Sequence, residues 1–209
     1  MKPEEIRILI MRAPGTNCDL ETVRAFEDLG AEVNLIHTQK VFKDKNLDEY
    51  DILVFPGGFS YGDYVRSGAI WAKECEYRIG KELTEFVDSG KPVIGICNGF
   101  QQLVELGFLP GWEGKSLYPE AALGNSTHGY QNRWIRMRYE GKGNCGMMKG
   151  LEEGYVLSCP VAHGEGRFIL PPDQREELLN NLYDQDMIMW RYVRADGSYA
   201  EYDWPENPN

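Results

Sequence analysis

The stretch KPVIGICNGFQQLVELGFLPG, Lys91 to Gly111, decides the fold of this 209-residue chain. Its apolar run PVIGI, Pro92 to Ile96, predicts a buried strand. The pattern from Gly99 to Leu106 predicts a helix that starts almost at once. At the junction Cys97 stands between two glycines. A strand, a glycine-flanked nucleophilic residue and a helix in this order are typical of a nucleophile elbow.

The two glycines have a steric reason. A turn this tight leaves no room for side chains two residues before and after the nucleophile, and Gly95 and Gly99 remove them. We expect strained backbone at Cys97 and a position near the helix N-terminus, whose N–H groups favour a thiolate. The N–H of Asn98 can then face a developing oxyanion. The alternative is a small core cysteine; the combined pattern favours the nucleophile.

The N-terminal half around the elbow alternates strands with helices. Further strands are predicted at Arg7–Met11, Glu32–His37 and Tyr50–Phe55, and helices at Leu20–Leu29 and Ala69–Asp88. Continuous apolar strands between helices predict an α/β fold with a mostly parallel central sheet covered on both faces. Such sheets carry their active sites at the carboxyl ends of the strands.

Beyond about Gly111 the pattern changes to shorter strands, some of them alternating. These predicted strands are Arg133–Tyr139, Tyr155–Pro160, Arg167–Leu170 and Met187–Val193. They indicate an added antiparallel portion. No low-complexity linker separates the two halves, so we expect one domain over residues 1–209.

Composition excludes several classes of function. The formal net charge is -11, which argues against nucleic-acid and anionic-membrane surfaces. No apolar run reaches the roughly 18 residues of a membrane span, and the N-terminus has no signal-peptide layout. The five cysteines are scattered without a C-x-x-C pair, which disfavours disulfides and a metal site. We therefore expect a cytoplasmic protein with free thiols.

A second glycine-rich segment, PGGFSYGDYVRSG at Pro56–Gly68, follows the third predicted strand. Gly57 and Gly58 allow backbone amides to approach a ligand closely. The segment lacks the spacing of phosphate and dinucleotide loops. In a parallel sheet its strand can neighbour the strand before Cys97, which would bring both loops over one pocket. A plain glycine-rich turn is the alternative.

A thiol nucleophile needs a base, and the chain has three histidines. His37 and His128 fit strand-end and loop positions. His163 is followed two residues later by Glu165, and on an extended segment both face the same side. Spacing alone therefore nominates His163 as the base and Glu165 as its orienting group for Cys97.

Four long blocks resemble one known family, the class I glutamine amidotransferases, and within it the branch that serves purine biosynthesis. The blocks are RAPGTNCD (Arg12–Asp19), FPGGFSYGDYVRSGAI (Phe55–Ile70), GICNGFQQLVELGFLPG (Gly95–Gly111) and PVAHGEGRF (Pro160–Phe168). The resemblance implies a flavodoxin-like α/β glutaminase domain.

The resemblance also implies a mechanism and partners. Cys97 attacks the side-chain amide of L-glutamine, and the backbone of Gly57, Gly58 and Phe59 with the Asn98 N–H forms the oxyanion hole. Gln101 is a further candidate for substrate contact. Ammonia passes to a large synthetase subunit that converts formylglycinamide ribonucleotide to formylglycinamidine ribonucleotide. ATP and Mg²⁺ are expected on that subunit and no cofactor on this chain; a small third subunit often bridges the two.

One part of the family pattern is missing. The family's triad His and Glu lie in a His-Pro-Glu segment beyond an Asn-Pro-Asn motif, and this sequence reaches that motif at 207–209 without containing His-Pro-Glu. We expect a fragment of a longer gene product, in which the AHGEG block shapes the pocket or the partner interface. Two alternatives stay open: a shortened form that uses His163 and Glu165, or a catalytically silent glutamine-sensing or docking subunit. An elbow-cysteine enzyme acting on aldehydes or peptides is a more distant alternative.

Overall fold

The structure is a computed structural model that describes residues 2–114, 116–143 and 145–209. The chain forms two compact units, Met1–Pro119 and Glu120–Asn209. Within the described ranges, no helix combines the length and the apolar character needed to cross a membrane. The prediction of a single domain stays a prediction.

The first unit contains a four-stranded sheet in the order β2-β1-β3-β4, and every pairing in it is parallel. The strands are β1 (Arg7–Arg12), β2 (Glu32–His37), β3 (Ile52–Phe55) and β4 (Val93–Gly95). The helices are α1 (Asp19–Glu27), α2 (Thr38–Asp44), α3 (Ala69–Asp88) and α4 (Asn98–Glu105). The predicted parallel α/β arrangement is therefore confirmed.

Helices cover both faces of this sheet, which explains why its strands are apolar at successive positions. On one face Ile8, Ile10 and Val54 pack with apolar residues of α1. On the other face Leu9, Leu53 and their neighbours pack against α2, α3 and α4. The two central strands are thus buried on both sides, as a doubly covered sheet requires.

The second unit is antiparallel, as its shorter strands predicted. Strand β5 (Ala122–Asn125) pairs with β8 (Glu165–Ile169). Strand β6 (Gln131–Tyr139) lies between β7 (Val156–His163) and β9 (Trp190–Tyr192), and helix α5 spans Arg175–Asp184. Three elements, α2, β5 and α5, were not predicted from the sequence.

A buried polar contact fixes α3 in the first unit. The Trp71 indole N–H donates to the Thr38 hydroxyl at 3.1 Å, and both residues are 0% exposed. The Trp71 ring also meets Phe55 edge-on at 5.6 Å between centroids. A buried indole N–H needs such an acceptor, because water cannot replace it.

Replacement of Thr38 by Val should therefore destabilise the protein, because it removes the only polar atom of a nearly isosteric side chain. We expect the free energy of unfolding to fall by about 1–3 kcal/mol. Thr38→Ser keeps the acceptor and should cost about 0.8 kcal/mol for one lost methyl group. Urea denaturation followed by tryptophan fluorescence measures both. A Val variant as stable as the Ser variant would contradict this role.

Candidate active site

The predicted elbow is present at the end of β4. Cys97 is exposed and has φ 53° and ψ -109°, outside the helical and extended regions. Helix α4 begins at Asn98, and the Cys97 carbonyl accepts the N–H of Gln101 at 3.1 Å. The nucleophile candidate is thus the N-cap residue of α4, in a strained conformation that the surrounding structure must hold.

Backbone contacts show why the two flanking residues are glycines. A Cβ placed on Gly95 would lie 2.6 Å from the Gly99 carbonyl oxygen. A Cβ on Gly99 would lie 1.9 Å from the carbonyl oxygen of Phe55, on the neighbouring strand β3. At both positions the added Cβ would clash with main-chain atoms, which cannot rotate away as a side chain can. The elbow therefore admits no side chain at either position.

The glycine loop, which we define as residues 56–68, lies beside the elbow because β3 pairs with β4. A Cβ on Gly57 would lie 3.3 Å from the Cβ of Cys97. Gly58 has φ +137°, and a Cβ there would lie 2.6 Å from the Asn17 backbone nitrogen. The two glycines thus let the loop backbone pass directly next to the thiol, as the sequence predicted.

The backbone hydrogen bonds reduce the number of predicted N–H groups that can donate to an oxyanion. The Phe59 N–H donates to the Gly15 carbonyl at 3.0 Å and is therefore already engaged. In the part of the chain that the structure describes, the N–H groups of Gly58 and Asn98 have no acceptor. An N–H at the first position of a helix has none within the helix. Gly58 and Asn98 thus keep N–H groups available to an oxyanion, and their role in the oxyanion hole stays a prediction.

The side chains after the elbow point into the protein. Gln101 is 9% exposed, and its carbonyl oxygen accepts from the Asn98 side-chain amide at 3.1 Å. Gln102 is fully buried and donates to the Cys75 sulfur at 3.4 Å. Neither glutamine is exposed to solvent. Substrate contact by Gln101 stays a prediction.

A second thiol lies close to Cys97, and this proximity was not predicted from the sequence. A Cβ on Gly57 would lie 3.6 Å from the Cβ of Cys18. Burial, followed by the negative charges of Glu21, Cys97 and Asp19, raises the pKa of the Cys18 thiol above its usual value. The signal in the sequence was topological: Cys18 follows β1, and β1 neighbours β3.

The proposed partners of the nucleophile, His163 and Glu165, do not share one strand. His163 ends β7 and Glu165 begins β8, and these strands belong to different sheets that meet at a bend at Gly164. In the described ranges the His163 Nδ1 is buried without a hydrogen-bond partner. Glu165 therefore does not orient the imidazole through Nδ1. Cys97 belongs to the first unit and His163 to the second, so the triad stays a prediction.

The other two histidines have structural contacts. His37 is the N-cap of α2, and its Nδ1 accepts the Gln39 N–H at 3.2 Å. His128 stacks on Trp204 with ring centroids 5.0 Å apart. These contacts agree with the structural positions predicted for both residues.

A surface groove of about 490 Å³ lies along α3. Its lining includes Val65, Arg66, Ile70 and Tyr77 and none of the predicted site residues. We therefore do not assign glutamine to this groove.

Comparison with known proteins identifies the class to which this elbow belongs. Residues 5–209 match the family model of the CobB/CobQ-like glutamine amidotransferase domain. This match covers nearly the whole chain and agrees with the parallel sheet, the exposed elbow cysteine and the adjacent glycine loop. The class of protein is therefore a glutamine amidotransferase.

Curated relatives narrow the class further. The chain is 42% identical to the phosphoribosylformylglycinamidine synthase subunit PurQ of Archaeoglobus fulgidus, over all of this chain and 80% of the relative. It is 38% identical to the PurQ subunit of Treponema denticola, over all of this chain and 79% of the relative. A solved structure of PurLQS from Thermotoga maritima matches with 31% identity and a TM-score of 0.69, over 95% of this chain and 78% of that chain. The chain belongs to the PurQ family of glutamine amidotransferases.

The contact between Gly99 and Phe55 gives a test of the elbow. Gly99→Ala should lower the free energy of unfolding by about 3–5 kcal/mol, because the added methyl group meets a backbone oxygen. Gly146→Ala is the matched control, since a Cβ there has no atom within 4 Å. Urea denaturation of both variants measures the difference. Equal stability of the two variants would contradict the steric explanation.

The burial of His163 predicts a pH dependence of stability. Burial lowers the pKa of His163 below its usual value. Below about pH 6.5 the unfolded chain therefore binds a proton at this position more readily than the folded protein does. Folded-state stability contributed by neutral His163 is present above that pH and is lost as the pH falls.

We expect His163→Gln to show a smaller decrease in melting temperature between about pH 7.5 and about pH 5.5 than the wild type. The control His128→Gln should keep the wild-type decrease, because His128 lies in an exposed loop stacked on Trp204. Differential scanning fluorimetry measures the three proteins side by side. A His163→Gln profile that parallels the wild type would contradict the prediction.

Proposed function

We propose that Cys97 is the nucleophile with which this chain, the glutaminase component of a phosphoribosylformylglycinamidine synthase, hydrolyses L-glutamine. The observation that carries the proposal is the exposed elbow cysteine at the N-terminus of α4, with Gly57 against it. Membership of the glutamine amidotransferase family supports glutamine as the substrate. The names of the relatives support assignment to the phosphoribosylformylglycinamidine synthase. Function as a silent glutamine sensor is not favoured, because the elbow cysteine is exposed and the glycines that the elbow requires are present.

The proposed reaction proceeds through a thioester. The Cys97 sulfur attacks the carboxamide carbon of glutamine, and the developing oxyanion accepts hydrogen bonds from the N–H groups of Gly58 and Asn98. The carbon–nitrogen bond then breaks as the nitrogen takes a proton, and ammonia leaves. Water attacks the thioester carbon, which releases glutamate and restores the thiol. The base that moves these protons is not assigned, and His163 with Glu165 stays a candidate pair.

The proposed partner is a synthetase that consumes the ammonia. The similar Thermotoga maritima structure is that of PurLQS, a complex with PurL and PurS. By analogy this chain assembles with a large synthetase subunit and a small bridging subunit. ATP, Mg²⁺ and the ribonucleotide are assigned to the synthetase.

All five cysteines are free in the structure, and a cytoplasmic location stays the expectation.

Replacement of Cys97 by Ser gives the decisive test. Ammonia release from L-glutamine, measured with the synthetase partner present, should fall at least about 10³-fold, because a serine hydroxyl is a far weaker nucleophile at neutral pH. The matched control is Cys145→Ser, at a half-buried cysteine of the second unit, and it should keep wild-type turnover.

A second readout locates the reactive thiol directly. A glutamine-derived chloromethyl ketone should modify Cys97 in the wild type, as mapped by peptide mass spectrometry. Modification of another cysteine instead would count against the assignment. Binding of glutamine without any turnover, with the partner present, would revive the silent-subunit alternative.

A further inference from the structure

We propose that the side-chain amide of Asn98, acting through Ser60, is a positioning group that holds the glycine loop at a fixed place beside Cys97. This inference rests on the proposed function, since it concerns how the oxyanion site is kept in shape. The Asn98 backbone N–H is a candidate oxyanion donor. Its side chain forms separate contacts, to Ser60, Asp63 and Gln101.

The Asn98 side chain is buried and uses every hydrogen bond available to it. It is 1% exposed. Its oxygen accepts from the Ser60 N–H at 3.2 Å and from the Ser60 hydroxyl at 2.5 Å. Its nitrogen donates to an Asp63 carboxylate oxygen at 3.1 Å and to the Gln101 carbonyl oxygen at 3.1 Å. Two acceptor and two donor positions are the full capacity of a carboxamide.

The orientation of this carboxamide is fixed by its neighbours. The Ser60 backbone N–H can only donate, so the atom that faces it must be the oxygen of Asn98. The Asp63 carboxylate accepts, so the nitrogen must face it. The reversed orientation would set donor against donor at Ser60. Asn98 therefore holds the loop in one arrangement rather than tolerating two.

The glycine loop needs such support because much of its backbone is strained. Tyr61, Asp63 and Val65 have φ of 53°, 54° and 75°. These left-handed values are unfavourable for residues with a side chain and persist only where the surroundings enforce them. The loop is also tied by Arg66, which forms two hydrogen bonds to Glu105 at 2.9 and 2.6 Å.

The hydrogen bonds of Asn98 and of Glu105 both connect the glycine loop to helix α4. Asn98 and Glu105 are the first and last residues of α4, and α4 begins directly after Cys97. The loop and the nucleophile are therefore attached to one rigid element. Movement of Ser60, Asp63 or Arg66 away from α4 would have to break these hydrogen bonds.

The group whose position bears on the proposed reaction is the N–H of Gly58, a candidate oxyanion donor. On one side of Gly58 the Cys18 N–H donates to the Gly57 carbonyl at 3.3 Å. On the other side Ser60 is held by Asn98, two residues away. The place of the Gly58 N–H relative to the thiol is thus set from both sides. A misplacement of about 1 Å at such a donor can cost on the order of 10²-fold in rate.

Ser60→Ala and Asn98→Ala test the inference in the full chain with its synthetase partner. Ser60→Ala should lower kcat for glutamine hydrolysis about 10- to 100-fold with little change in KM, because the oxyanion exists only in the transition state. The double variant should be no slower than Asn98→Ala alone, since Asn98→Ala already removes the acceptor of both Ser60 hydrogen bonds. Ser89→Ala, which removes a 2.6 Å hydrogen bond to Phe86 at the end of α3, is the control and should keep wild-type kcat.

Two electrophiles separate positioning from general damage. The carbonyl of a glutamine-derived chloromethyl ketone occupies the place of the substrate carbonyl, so its reaction with Cys97 should slow about 10-fold or more in Ser60→Ala. Iodoacetamide alkylates the thiol by displacing iodide and develops no charge on a carbonyl oxygen at that place. Its rate with Ser60→Ala should stay within about twofold of the wild type.

Three outcomes would overturn the inference. One is a Ser60→Ala enzyme with wild-type kcat and ketone rate. Another is an equal loss with both electrophiles, which would make the role purely structural. A third is additive loss in the double variant, which would separate Ser60 from Asn98. Failure of the wild type to react with the ketone at Cys97 would instead overturn the proposed function, and the inference with it.

Discussion

The site depends on one close approach, between the first turn of α4 and the end of β3. A side chain at Gly99 would lie 1.9 Å from the Phe55 carbonyl oxygen. Because this contact joins backbone to backbone, the helix can start immediately after the strand and leave Cys97 exposed in its strained conformation. The same approach places the glycine loop, which follows β3, against the thiol. The positions of Cys97 and of the glycine loop are thus consequences of one packing distance.

The loop that results is strained and is held by polar contacts that converge on α4. The Asn98 carboxamide and the Glu105 carboxylate engage it at two points. Preorganised donors are effective in catalysis because they need not reorient as charge develops. A buried carboxamide suits this task better than a charged group, since it is fully satisfied without the desolvation cost of an ion.

Much of the fold of the first unit could be predicted from periodicity. The bounds of β2 and α3 agree with prediction at both ends, because their apolar patterns are long and their flanks carry turn residues. Helix α2 was missed because it has only seven residues, too few for a helical period to repeat. Strand β5 has the sequence ALGN, which carries no alternation. Its pairing with β8 joins Ala122 to Ile169 and Asn125 to Glu165, which are too far apart in the sequence for any local pattern to encode.

Part of the candidate site could be predicted from the sequence and part could not, and this difference has a physical reason. Cys97 and its glycines form a local pattern, so the sequence identified them. The Asn98 side chain bonds to Ser60, 38 residues away, and this contact depends on strand order. The pairing of His163 with Glu165 assumed one extended strand, whereas the bend at Gly164 divides them between two sheets. The rule that residues two apart face the same side holds only within one strand, so it does not apply across this bend, and the pairing stays a prediction.

The contact between Gly99 and Phe55 also bears on how such a protein can change during evolution. Side chains in the core of β3 and α4 can be exchanged for others of similar volume with modest cost. Such exchanges leave Cys97 in place, because its position above the sheet is set by main-chain atoms that every residue type shares. Sequence drift across the core is therefore nearly neutral for chemistry, while the addition of one methyl group at position 95 or 99 is not. The geometry of the elbow therefore depends on very few residues, above all Gly95 and Gly99.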